Sequence, residues 1–88
     1  MRPLREIAQE ILAEMRPLQY KSPPPAWVVC SLPYVKAMAT LNTVQDHYGL
    51  DSGVSIVLYT RSNLQGWRGE TARRIKAELD TIIKENRL

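Results

Sequence analysis

The chain opens on an amphipathic period. Apolar residues fall at Leu4, Ile7, Ala8, Ile11, Leu12 and Met15, with Arg5, Glu6, Gln9, Glu10 and Glu14 between them. That is the i, i+3, i+4 spacing of a helix that buries one face. Pro3 suits its first turn, where a missing N–H costs nothing, and Pro17 ends it by disfavouring helical geometry at Arg16. The pattern predicts a helix over 3–16, within an N-terminal unit of 1–17. Three consecutive prolines at 23–25 then exclude regular helix or central strand, so 18–30 reads as a stiff, extended connector. Proline runs are also ligands for aromatic-lined grooves, but no second PxxP pattern flanks this one.

From Ser31 the helical period returns. Tyr34, Met38, Leu41, Val44 and Tyr48 share a face, Ser31 can cap and Pro33 fits the first turn. Gly49 is placed to close the C-terminus in the left-handed conformation, with Leu50 folding back. The expectation is a helix over 32–48. Asp51-Ser52-Gly53 offers a fresh cap for a helix over 52–64, and Ala72, Ile75, Leu79, Ile82 and Ile83 make a clear stripe over 69–86. Residues 27–31 and 54–59 are rich in β-branched residues, however, and could be strands. Two architectures follow: an all-α bundle of four helices, or an α/β fold with strands at 27–31 and 54–59. Two parallel strands alone make a poor sheet, which favours the all-α bundle with a helical core over 31–88.

The 88 residues bound the chain to a single domain over 1–88. A chain of this size buries only about 60–65% of its unfolded surface, so a homodimer is a ready way to cover apolar area left over. One cysteine, Cys30, and one histidine, His47, exclude an internal disulfide and any closed Cys/His metal cage within one chain. Nothing orients His47 against Cys30 as base and nucleophile. Ser55 lacks the second glycine of a nucleophile elbow, and neither a Walker loop nor a GxGxxG fingerprint occurs. The expectation is a non-enzymatic protein without catalytic residues, cofactor or metal. A lone thiol suits a reducing compartment, the charged start MRPLREIAQE is no signal peptide, and no apolar run nears the ~20 residues that span a bilayer. A cytoplasmic protein without a membrane partner is expected.

Charge changes the picture at the C-terminal end. Of the net +3, residues 61–88 carry seven basic and four acidic groups. Arg61, Arg68, Arg73 and Arg74 gather around Trp67, the residue types that anchor protein interfaces and recognise phosphate. They are the candidate site, for an unidentified host or phage protein or for weak nucleic-acid binding. A helix-turn-helix with Gly66 at its turn is only partly matched, since Arg61 and Gln65 stand where that motif wants apolar residues. The competing reading is a solvated face. Glu70–Arg74, Arg74–Glu78, Lys76–Asp80 and Asp80–Lys84 are all spaced for intrahelical pairs. For Trp67 the favoured use is to pack back over the preceding helix and fix the inter-helical turn, and Trp27 can anchor the connector to the core.

The segments PYVKAMATL, YGLDSGVSIVLY and GWRGETARRIKAEL, together spanning about 31–84, resemble a group of small uncharacterised proteins encoded by bacteriophages and enterobacterial prophages. The resemblance implies a bacterial cytoplasmic setting and a small accessory protein acting on host machinery. It implies no catalytic or binding residue. The proline connector and AWVVC depart from the pattern.

Overall fold

Helices carry the chain in the computed structural model, which describes residues 2–86. Met1, Arg87 and Leu88, included in the single-domain reading and the C-terminal charge, lie outside the described residues. Helix α1 spans Leu4–Met15, α2 Ala26–Met38, α3 Gly53–Ser62 and α4 Glu70–Glu85. A two-stranded antiparallel hairpin, β1 His47–Tyr48 and β2 Asp51–Ser52, precedes α3. The fold is all-α. Helix α2 packs on both α1 and α3, and α3 packs on α4. Leu4, Ile7, Ile11 and Met15 of α1 and Ile75, Leu79 and Ile82 of α4 belong to one buried cluster with Val28, Val35, Met38, Ile56 and Val57.

The strand readings of 27–31 and 54–59 are both overturned, because each segment is helical. Pro25, at φ −57° and ψ 144°, delivers an extended chain into the first turn of α2. Two short strands without a third make a poor sheet, and as a helix the segment buries Val28 while Val29 stays exposed. The connector therefore ends at Pro25 rather than 30. Pro33 lies in the interior of α2, not its first turn, and leaves the Val29 carbonyl without its helical N–H. Ser31, expected as a cap, is buried in mid-helix and donates its hydroxyl hydrogen to the Trp27 carbonyl.

Helix α2 also ends ten residues earlier than the predicted 48, at Met38. The cause is local competition for backbone N–H groups. The Asp46 carboxylate accepts from Asn42 N (2.8 Å) and Thr43 N (3.0 Å), folding 42–46 into turns. Those bonds hold the Asp46 carboxyl below its ordinary range. The same loop starts α1: Leu4 and Arg5 donate their N–H groups to the Asn42 and Leu41 carbonyls, at 2.9 and 2.8 Å. Gly49 does take a positive φ, 62°, but in the hairpin turn rather than at a helix end. Leu50 does not fold back; it is fully exposed. Ser52 caps α3 as expected, accepting from Ser55 N at 3.2 Å.

Candidate functional site

The arginines of the candidate site meet different fates. Arg61, at the end of α3, places Nε 2.8 Å from Asp80 Oδ1 on α4. Arg74 pairs with Glu10 of α1. Trp67 is only 3% exposed and stacks on Trp27, with ring centroids 5.2 Å apart and planes 19° from parallel. It is a core residue. Arg68 and Arg73 remain exposed and form no ion pair among the described residues. Lys76 donates to the carbonyls of Trp67 and, at 3.3 Å, Gln65, tying the α3–α4 turn to α4. Partial burial, with Arg61 and Arg68 nearby, lowers its pKa. The basic end thus keeps a local excess of positive charge but offers no aromatic anchor.

None of the four intrahelical pairs expected along α4 forms among the described residues. The acids and bases reach across helices instead. Arg2 donates from Nε (2.9 Å) and Nη2 (2.7 Å) to Glu78 and also bonds Glu10, which in turn holds Arg74. This chain of charges ties the start of the chain and α1 to α4. A partner fixed by tertiary packing loses less side-chain entropy on pairing than a floppy i+4 neighbour.

The Glu10 carboxyl sits below the usual range, chiefly through its hydrogen bond from Arg74 and then from Arg2, against the opposing effect of burial. Because its folded pKa is lowered, the unfolded chain takes up more protons in acid. The stabilisation is therefore complete above the ordinary value of 4.5 and disappears as pH falls through the lowered one. Glu10→Gln is expected to melt about a few degrees lower than the native chain at neutral pH, with the two converging in acid. Thermal melts across the carboxylate range check this; curves that stay parallel would show that the bridge contributes nothing.

A second surface was not singled out from sequence. Helix α2 turns Ala26, Val29, Cys30, Pro33 and Lys36 to solvent. Four of those five are apolar or nearly so, and Val29 is 56% exposed. Beside this ridge runs a groove of about 410 Å³, walled by Gln19 and Pro24 of the connector and by Val28, Val29, Leu32, Pro33 and Lys36. Lys36 is its one charged residue. On the other side of α2, the Tyr34 ring lies tilted by 44° against half-exposed Tyr59, with centroids 5.3 Å apart. The signal was present: read as helix from Ala26, positions 26, 29, 30, 33 and 36 fall on one face. Assigning 27–31 to a strand or connector hid it.

The larger cleft, about 510 Å³, lies where Arg2, Arg5 and residues 42–45 meet the end of α4. Its helix N-terminus is no anion cradle, because Leu4 and Arg5 have already spent their N–H groups on the 41–42 carbonyls. Cys30 and His47 are both exposed, and no cluster of His, Cys, Asp and Glu suited to a metal occurs among the described residues. No described helix is long and apolar enough to cross a membrane. Comparison with protein-family models, curated proteins and solved structures finds no match.

Proposed function

We propose that the chain is a non-enzymatic interaction protein, of the phage or prophage accessory kind its sequence pattern resembles, working in the bacterial cytoplasm and docking protein through the outer face of α2. The observation that carries this is the apolar ridge of Val29, Cys30 and Pro33 left in water beside an open groove. A helix apolar on every side is normally buried on every side, and contiguous exposed apolar surface marks binding sites. The basic end, first in line from sequence, moves to second place once Trp67 is in the core and Arg61 and Arg74 are paired.

Weak nucleic-acid binding by that end is the second reading, favoured by Arg61 and Arg68 crowding Lys76. One experiment separates the two. Capture from host lysate is compared for the native chain, Val29→Glu, and the double variant Arg68→Ala with Arg73→Ala. A carboxylate buried unpaired against a partner should cut capture by Val29→Glu about tenfold or more, while the arginine variant keeps it. Loss with the arginine variant alone, alongside DNA affinity that falls steeply with salt, would transfer the function to the basic end.

A further inference from the structure

We infer that the groove on α2 receives the hairpin tip of a second copy of this chain; the inference rests on α2 being the docking face and names its occupant. The groove calls for apolar bulk accompanied by a carboxylate, since Lys36 alone among its lining residues is charged. The hairpin supplies both. Leu50 is 102% exposed at its turn and Tyr48 about half exposed, and exposed Asp51 follows directly. A single exposed leucine is ordinary. This one stands at the apex of a two-residue turn, next to a tyrosine and an acid, on a molecule whose unfilled groove wants those groups.

The tip is also held ready. Tyr48 pairs with Asp51 across the hairpin, and Gly49 supplies the positive φ of a tight turn. At the base, Gly53 N donates to the Asp46 carbonyl at 2.7 Å while Ser52 caps α3. Little freedom remains to be lost on docking. One tip in one groove falls short of the roughly 1,200 Å² that stable interfaces bury. A two-fold pair, each copy giving its tip and receiving the other's, doubles the contact and closes the assembly. Asp51 then meets Lys36 of the other copy twice.

Sedimentation equilibrium on the full chain tests this. The native protein should dimerise in the micromolar range. Leu50→Asp and Val29→Glu, both at exposed positions, should each weaken it about tenfold or more with circular dichroism unchanged. Lys36→Glu and Asp51→Lys should each weaken it several-fold, and the two swaps combined in one chain should restore it. A native protein that stays monomeric overturns the inference and leaves α2 as docking face to be decided by the capture assay. A dimer broken by Val29→Glu but untouched by Leu50→Asp also overturns it, placing another occupant in the groove. A dimer unmoved by either variant overturns the inference too, and the α2 docking face is again decided by the capture assay.

Discussion

Trp67→Ala is expected to cost the chain about 3–5 kcal/mol of stability, and so to unfold it in large part rather than trim a binding site. A domain of this length has a total margin of only about 4–13 kcal/mol. The indole is 3% exposed, its face covers Trp27, and its own carbonyl accepts from Lys76. Removing it opens a cavity under the α3–α4 turn and strips the stacking partner from Trp27. Melting should fall by about 15–25 °C, and Trp67→Phe should recover part of the loss by keeping an aromatic face. Thermal denaturation followed by circular dichroism reads the effect. If Trp67→Ala melted with the native chain yet failed in the capture assay, Trp67 would return to the interface and the α2 reading would lose its priority.

The core position of Trp67 was one of the uses its sequence offered, beside a place in the basic cluster. The stripes of α1 and α4 were legible because each is amphipathic with one unmistakable period, and so was the Ser52 cap. Residues 27–31 were not, since a short β-branched run looks alike in a strand and in a helix apolar all round; only the absence of further strands decides between them. The end of α2 was hidden for a different reason. Tyr48 and Val44 keep the helical spacing past Met38, but Asp46 captures the N–H groups of Asn42 and Thr43, a competition that periodicity does not register.

At the candidate site, Arg61, Arg68, Arg73 and Arg74 were legible as a basic cluster, whereas their partners were not. Intrahelical pairs can be counted from spacing, but Glu10, Glu78 and Asp80 are claimed by residues 8 to 76 positions away. Which acid reaches which base depends on how the helices lie, and that is settled by the packing of the common core. The exposed apolar face of α2 was readable in principle and was hidden by the boundary placed after Ala26. The segmentation of one residue range thus decided which surface stood out in the sequence.

The loop that cuts α2 short also sets the second large effect, that of Gly53→Ala. A glycine-to-alanine change inside a helix ordinarily helps, by up to about 1 kcal/mol. Here the sign should reverse, with a loss of about 3 kcal/mol. A Cβ at Gly53 would lie 2.7 Å from the Val44 carbonyl oxygen, 2.8 Å from Val44 Cα and 2.9 Å from the Thr43 carbonyl oxygen. All three are backbone atoms, so no side-chain rotation relieves the clash. Nor can the loop retreat cheaply. Asp46 ties it to Asn42 and Thr43, and the carbonyls just before it accept the first N–H groups of α1. Displacing 43–44 therefore loosens the start of α1, the Gly53 to Asp46 hydrogen bond and the base of the hairpin at once. Gly66→Ala is the control, since its Cβ would meet only Trp27, at 3.7 Å, an ordinary contact. Urea denaturation should separate the two glycine variants by several-fold in stability loss, and equal curves would mean that α3 does not seat on Val44. Because the hairpin base rests on that seat, Gly53→Ala should also blur the tip and weaken self-association beyond what its lost stability explains, whereas Gly66→Ala should leave association intact.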